Sequence, residues 1–103
     1  HGAQVFYNRS SQIGKLTAVM IQEEITKQLG NTKRKALPGD YYILRNTTMP
    51  AVIVEVGFIS HPQEASLLAD SDYQARMAQA IFAGIAQAQV RSYDSEIELY
   101  PDR

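Results

Sequence analysis

Hydrophobic residues between positions 13 and 29 recur at steps of three and four residues. The set is Ile13, Leu16, Met20, Ile21, Ile25 and Leu29, with Lys15, Gln22, Glu23 and Lys27 lying off that stripe. This spacing is typical of the buried face of an amphipathic helix. Ser10 and Ser11 are candidate N-caps, and Gly30-Asn31 suits a left-handed C-terminal cap. The pattern therefore predicts one long helix that ends at Gly30.

Three apolar runs are typical of β-strands. Val5-Phe6-Tyr7 is short, Tyr41-Tyr42-Ile43-Leu44 is aromatic and aliphatic, and Ala51 to Val56 is rich in β-branched residues. The third run does not alternate with polar residues, which is typical of an interior strand covered on both faces in a parallel sheet. Residues 31–40 predict a polar loop with a Pro-Gly turn.

The C-terminal part of the sequence predicts two helices and a possible edge strand. Pro62 suits a first helical position, with Glu64 at the third, and Ser71-Asp72-Tyr73-Gln74 fits a capping box that opens the second helix. The buried stripe predicted for that second helix is Tyr73, Met77, Ile81, Ile85 and Ala88. Glu96 to Tyr100 alternates polar and apolar residues, as an edge strand does.

The order of these elements is strand, helix, strand, strand, helix, helix, which predicts an α/β fold with helices on both sides of a sheet. Three strands make a thin sheet for that design. A fully apolar strand at 51–56 needs a neighbour on each side, and this sequence offers few candidates. We therefore expect further strands N-terminal to residue 1.

Composition excludes several classes of protein. A length of 103 residues, 45% of them hydrophobic, and a formal net charge of -1 exclude a disordered chain. The sequence has no cysteine, which excludes disulfides and thiolate metal sites. The one basic cluster, Lys33-Arg34-Lys35, argues against a general nucleic-acid binder; we interpret it as a solvated loop that could meet an anionic polymer. The apolar stretch at 51–59 is far short of the roughly 20 residues that span a bilayer.

Glu55 is the most informative residue, because a carboxylate inside an apolar strand is costly unless it is paired or used. One hypothesis is a structural ion pair with Arg45 or Arg76. The other hypothesis uses its position: ligand sites in open α/β sheets lie beyond the carboxyl ends of the strands, and Glu55 lies at such an end before Gly57. A carboxylate there can act as a general base or as a metal ligand.

The remaining candidates give weaker signals. His61 precedes Pro62 and is interpreted as a helix cap, and no metal-ligand spacing joins it to His1. Arg45, at a predicted strand end, is equally well a solvated charge or a clamp for a substrate carbonyl or carboxylate. The six tyrosines are interpreted as core and edge packing.

Two segments resemble a known family. Residues 42–47 (YILRNT) and 49–60 (MPAVIVEVGFIS) resemble the C-terminal signature of zinc-dependent N-acetylmuramoyl-L-alanine amidases, the type 3 family of bacterial cell-wall hydrolases. The resemblance continues through Gly84-Ile85 and covers the sequence up to about residue 89. Residues 2–8 and 29–34 are most similar to the spore-cortex amidases that act in germination.

The resemblance implies a zinc hydrolase that cleaves the amide between the lactyl group of muramic acid and L-alanine of the stem peptide. In the family, two histidines and a glutamate hold the zinc, and a second glutamate assists the attack of water. Glu55 matches that catalytic glutamate, and Arg45 matches a basic position near the substrate. All three zinc ligands are expected upstream of His1, so no zinc is expected on this chain.

The resemblance also implies the architecture and the setting. We expect a three-layer α/β sandwich with a central, mostly parallel sheet, of which residues 1–103 form the C-terminal portion of a single catalytic domain that is inactive by itself. The implied partners are peptidoglycan glycan-peptide strands in the cell wall or spore envelope, reached by export. Self-association through an exposed sheet is expected, whereas an activator protein and the role of residues 92–103 stay open.

Two alternatives are a non-catalytic wall-binding or interaction module of the same fold and a different metallohydrolase, such as a zinc exopeptidase. Glu55 discriminates between the enzyme and the module, because a module without chemistry would be more stable with Val or Leu at that position.

Overall fold

The computed structural model describes residues 2–30, 32–57 and 60–99. In chain order, its elements are β1 (Gln4–Tyr7), α1 (Gln12–Leu29), β2 (Leu37–Pro38), α2 (Tyr42–Arg45), β3 (Val52–Glu55), α3 (Pro62–Leu68) and α4 (Ser71–Leu99). The predictions made for His1, Asn31 and Tyr100 fall on positions outside the described residues. Within the described ranges, no helix is long and apolar enough to cross a membrane.

The three strands form one sheet in the order β2-β1-β3. β1 and β2 are parallel, with Phe6 opposite Leu37, whereas β1 and β3 are antiparallel, with Gln4 opposite Glu55. The predicted α/β class is confirmed, and among the described strands one pairing is parallel and the other antiparallel. Because β3 runs against β1, its carboxyl end lies beside the amino end of β1.

Local signals position α1 as predicted. The hydroxyl of Ser11 accepts the backbone N–H of Gly14 at 2.9 Å, and Gly30 ends the helix with φ 69°. Ile21 and Ile25 are fully buried, but Ile13 is 50% exposed. The prediction that Gln22 lies off the buried face is wrong, because its side chain is buried and hydrogen-bonded to the backbone of β1.

The predicted strand at Tyr41–Leu44 is wrong. The backbone N–H groups of Leu44 and Arg45 both bond to the carbonyl of Tyr41 at 3.0 Å, which makes one turn of helix, α2. Leu44 is the only buried residue of α2, so this apolar segment places one side chain, and not a whole strand, in the interior. The edge of β1 is instead occupied by Leu37 and Pro38, inside the segment predicted as a loop.

The predicted strand at 51–56 is present as β3, but each of its residues is only half-buried. Val52 and Val54 pack against the hydrophobic core. In the described part of the chain, the strand neighbour of β3 is β1 alone. The further neighbours expected for an interior strand stay a prediction.

Of the two C-terminal helices, α3 begins as predicted, and α4 is capped one residue earlier than predicted. Pro62 opens α3, as expected. For α4, the carboxylate of Asp70, not the hydroxyl of Ser71, accepts the N–H of Tyr73 at 3.1 Å. The predicted edge strand at 96–100 is wrong for residues 96–99, because α4 continues to Leu99. Residues 92–99 contain no glycine or proline that would stop a helix already formed.

The hydrophobic core lies between one face of β1 and the helices α1 and α4. Its buried members are Ala3, Val5, Tyr7, Ala18, Ile21, Ile25, Tyr73, Met77 and Ala80. Of the stripe predicted for α4, Tyr73, Met77 and Ala88 are buried, whereas Ile85 is 40% exposed. Since Val5 and Tyr7 face this core, Phe6 lies on the opposite face of the sheet.

Candidate active site

Glu55 lies at the carboxyl end of β3, on the face of the sheet turned away from α1. Val52 and Val54 pack against the core, and successive residues of a strand point to opposite faces. Ile53 and Glu55 therefore share a face with Phe6, which is opposite Ile53 in the antiparallel pairing. The carboxylate is half-buried, with the hydrophobic core on the other side of the sheet.

The partner of this carboxylate is Tyr41, the residue directly before α2. Its phenol donates a hydrogen bond to Oε1 of Glu55 at 3.0 Å. That hydrogen bond raises the pKa of Tyr41, and desolvation and the negative charge of Glu55 raise it further. The phenol therefore stays protonated, and a hydrogen-bond donor, at neutral pH.

The predicted ion pair with an arginine is not formed among the described residues. Arg45 donates from Nη1 to Oδ1 of Asp40 at 2.6 Å, and Arg76 donates to the backbone carbonyl of Gln28 at 3.0 Å. Glu55 is thus held by a neutral hydroxyl, which orients a carboxylate without cancelling its charge. The structural ion-pair hypothesis is wrong for both arginines that the sequence suggested.

Arg45 lines a groove to which Glu55 does not contribute. Together with Asn8, Arg9, Gly39 and Asp40, it lines a groove of about 380 Å³. This groove is at the carboxyl ends of the parallel strands β1 and β2, whereas Glu55 is opposite Gln4 at the amino end of β1. Three residue steps of about 3.4 Å, roughly 10 Å, separate the two ends of β1. The prediction that Arg45 contacts the substrate stays untested.

The rule that placed the site at the carboxyl ends of the strands therefore applies only in part. Glu55 does end its own strand, but antiparallel pairing sets it apart from the ends of β1 and β2. No pattern along the chain indicates this direction, because the direction of a strand in a sheet is decided by pairing and not by the composition of one strand.

The histidines and carboxylates do not form a metal site in the described part of the chain. No group of three His, Asp or Glu side chains is close enough there to hold an ion. His61 occupies the N-cap position of α3, as predicted, although its side chain makes no capping hydrogen bond. Glu64 accepts the backbone N–H of Gly2. The zinc of the amidase family therefore does not fit a site built from the described residues alone.

The predictions from the sequence missed two features of the structure. The first is Tyr41, which is predicted to lie in a strand, although Gly39-Asp40 before it marks a turn and could have placed it at a loop-to-helix junction.

The second feature is a groove of about 370 Å³ between α1 and residues 33–36. The cations Lys27, Lys33, Arg34 and Lys35 line it, with Glu23 as the carboxylate. The basic cluster thus forms one wall of a groove rather than an isolated loop.

Comparison with known proteins identifies the family of this chain. The model of the N-acetylmuramoyl-L-alanine amidase family matches residues 1–87. A germination-specific N-acetylmuramoyl-L-alanine amidase of Bacillus subtilis is 42% identical over 86 residues, which are 82% of this chain and 36% of that protein. The amidase LytC of the same organism is 31% identical over 86 residues, 82% of this chain and 17% of its own length.

Solved structures show the same fold. The CwlD amidase from Clostridioides difficile, solved in complex with the GerS lipoprotein, has a TM-score of 0.81 and 36% identity over 86% of this chain and 46% of that chain. The amidase AmiC2 of Nostoc punctiforme has a TM-score of 0.75 and 31% identity, over 84% of this chain and 47% of its own. This chain spans less than half the length of each of these relatives.

These findings assign the fold to a class, the α/β cell-wall amidases. The chain belongs to the N-acetylmuramoyl-L-alanine amidase family, as its residues 42–60 suggested.

Proposed function

We propose that this chain is part of a peptidoglycan hydrolase that cleaves the amide between N-acetylmuramic acid and L-alanine of the stem peptide. The observation that carries the proposal is Glu55, an acidic residue at the end of an apolar strand whose partner is a neutral phenol. A carboxylate held in this way keeps its charge and can accept a proton. Membership of the amidase family supports the choice of this amide as the bond that is cleaved.

In this proposal Glu55 is the general base. Its carboxylate accepts a proton from water while the water oxygen forms a bond to the carbonyl carbon of the lactyl amide. The protonated carboxyl then returns that proton to the amide nitrogen as the C–N bond breaks. The products are the lactyl carboxylic acid and the free amine of L-alanine. The second proton of the water then passes from this acid to the amine, which gives a carboxylate and an ammonium group, so protons and electron pairs balance.

We infer that zinc is a cofactor of the complete protein. The inference rests on the family resemblance, and the ligands would come from residues other than those described, which do not supply a three-ligand site. For the same reason, we expect residues 1–103 alone to lack hydrolase activity.

The proposed setting is the bacterial cell wall or the spore envelope, which requires export of the protein. The germination-specific relative from Bacillus subtilis favours spore cortex peptidoglycan as the substrate. The CwlD amidase was solved in complex with a lipoprotein, and this supports a protein activator for the complete protein proposed here.

Replacement of Glu55 by Gln in the complete protein tests the proposal. The change keeps the side-chain volume but removes the proton acceptor, so we expect the release of L-alanine amines from purified peptidoglycan to fall by about 10²–10⁴-fold. Glu23→Gln, an exposed carboxylate on α1, is the matched control and should retain the parent rate.

Two outcomes would contradict the proposal. A Glu55→Gln variant that melts at a lower temperature but cleaves at the parent rate would make Glu55 a structural residue. A parent protein that binds peptidoglycan and releases no amines, even with zinc supplied, would favour the non-catalytic wall-binding module.

A further inference from the structure

We propose that Tyr41 is a positioning residue for Glu55: its phenol holds Oε1 of the carboxylate and leaves Oε2 to receive the proton of the attacking water. The inference rests on the proposed function, because it assigns Tyr41 a role in the chemistry of Glu55. It adds a residue that touches neither the water nor the amide in this scheme.

The first argument is the geometry of the hydrogen bond. Tyr41 Oη lies 3.0 Å from Oε1 of Glu55. Rotation about the last bond of a glutamate side chain is soft, so a carboxylate with no partner samples many orientations. A donor on one oxygen restricts that rotation and so fixes the direction in which the other oxygen presents its lone pairs.

The second argument is that the position of the phenol is itself determined by the sheet. The ring of Tyr41 packs edge-to-face on Phe6 of β1, with ring centroids 5.3 Å apart. A Cβ at Gly39 would lie 2.8 Å from Cε2 of the same ring, so glycine at this position leaves room for it. The backbone N–H of Gly39 bonds to the carbonyl of Tyr7 at 2.9 Å, which ties this contact to the end of β1.

The third argument concerns the backbone of Tyr41. Its carbonyl accepts two N–H groups, those of Leu44 and Arg45, and is thereby the anchor of α2. Ring and backbone are thus both fixed, and little side-chain entropy is left to lose when the hydrogen bond forms. Such preorganisation is what a proton acceptor needs, since a displacement of about 1 Å can cost as much as 10²-fold in rate.

Tyr41→Phe keeps the ring against Phe6 and Gly39 but removes the donor. In the complete protein, we expect kcat to fall roughly tenfold with KM little changed, because the loss falls on the orientation of the carboxylate and not on substrate binding.

Two further variants complete the test. Tyr93→Phe removes the same hydroxyl from an exposed position on α4 and should leave kcat and KM unchanged. Gly39→Ala keeps the hydroxyl of Tyr41 but pushes its ring, and should lower kcat in the same way as Tyr41→Phe, by less. Melting temperatures of all variants are measured together with the rates.

A readout without catalysis comes from nuclear magnetic resonance of isotope-labelled tyrosine, with Tyr41 assigned by the loss of its signal in Tyr41→Phe. We expect the pKa of Tyr41 to lie above the ordinary range in the parent and to fall when Glu55 is replaced by Gln. An ordinary pKa in the parent would show that the hydrogen bond is absent and would overturn the inference.

The failures of the two proposals are distinguishable. If Glu55→Gln abolishes cleavage but Tyr41→Phe keeps the parent kcat, Glu55 is catalytic and Tyr41 does not position it. A Tyr41→Phe variant with a lower melting temperature and the parent kcat gives the hydrogen bond a purely structural role. If Glu55→Gln itself cleaves at the parent rate, the proposed function fails, and the role of Tyr41 fails with it.

Discussion

Gly84 of α4 lies against the backbone of Ile21 in α1, so that the two long helices meet without a side chain between them. A Cβ at position 84 would lie 2.4 Å from Cα of Ile21 and 2.6 Å from its nitrogen. Real Cβ atoms essentially never approach a backbone so closely, and α1 is itself held against β1 by buried Ile21 and Ile25. The small residues at 80, 84 and 88 therefore set the distance between the helices.

Gly84→Ala is expected to destabilise the protein, although the same change in an exposed helix stabilises by about 1 kcal/mol. The added methyl group must push α4 away from α1, and such overpacking costs about 1–3 kcal/mol. The free energy of unfolding, measured with denaturant, tests this. Ala78→Gly, at an exposed position of α4, measures helix propensity alone. A more stable Gly84→Ala variant would contradict the close contact of the helices.

The side chain of Gln22 serves as a partner for the amino half of β1. Its Oε1 accepts the N–H of Val5 at 2.8 Å, and its Nε2 donates to the carbonyl of Ala3 at 3.0 Å. The hydroxyl of Thr32 donates to the same carbonyl at 3.2 Å. Because β2 pairs only with Phe6 and Tyr7, these side chains satisfy backbone groups that β2 does not reach.

Gln22→Leu is expected to lower the free energy of unfolding by about 1–3 kcal/mol for each buried backbone group that loses its partner. The apolar replacement is of similar size, so the loss reports hydrogen bonding rather than a cavity. Gln12→Leu, an exposed glutamine of the same helix, is the control and should change stability little. Equal stability of the two variants would mean that water or a shifted β2 replaces Gln22.

Sequence patterns predicted those elements whose signals are local. The cap at Ser11, the left-handed turn at Gly30 and the start of α3 at Pro62 all depend on residues within one helical turn, and all three are confirmed. The place of Glu55 at a strand end followed from the apolar residues 51–54 that precede it.

The features that were missed depend on tertiary contacts. β2 has two residues and no periodicity, so only its pairing with β1 identifies it. Gln22 is polar and was predicted to lie off the buried face of α1. Its two hydrogen-bond partners are 17 and 19 residues away in the chain, so no local pattern indicates them. The position of Tyr41 beside Glu55 depends on α2. That helix was not predicted, because it forms from a run of residues with strong strand propensity.

The chain of residues 1–103 is expected to retain far less than one equivalent of zinc after dialysis. A catalytic zinc ion needs three protein ligands, and the described residues contain no group of that kind. Metal analysis by mass spectrometry measures the retained ion, with the complete protein as the control. Stoichiometric zinc on the chain would require His1 or His61 to be a ligand.

Self-association of the same chain through its sheet is a further expectation. In the described part of the structure, β3 has a strand neighbour on one edge only, and an unpaired edge offers N–H and C=O groups to another copy. We expect the mass measured by light scattering to rise with concentration. A mass of one chain across the whole dilution series would contradict this, and the complete protein shows whether its other residues cover the edge.

Two neighbouring residues at the start of α4, Asp70 and Ser71, are both of types that commonly serve as N-caps, and the structure shows which of them does so. Oδ1 of Asp70 accepts the N–H of Tyr73, and its carbonyl accepts that of Gln74, whereas Ser71 is already the first residue of the helix. Asp70→Ala should therefore lower the free energy of unfolding by about 1 kcal/mol, because an N-terminal N–H loses its acceptor and the negative charge near the positive end of the helix is removed. Ser71→Ala is the matched control and should be close to neutral, since alanine is a better helix former at that position. Thermal and denaturant unfolding of both variants decide between the capping box read from the sequence and the cap observed. A larger loss for Ser71→Ala than for Asp70→Ala would restore the capping box at Ser71.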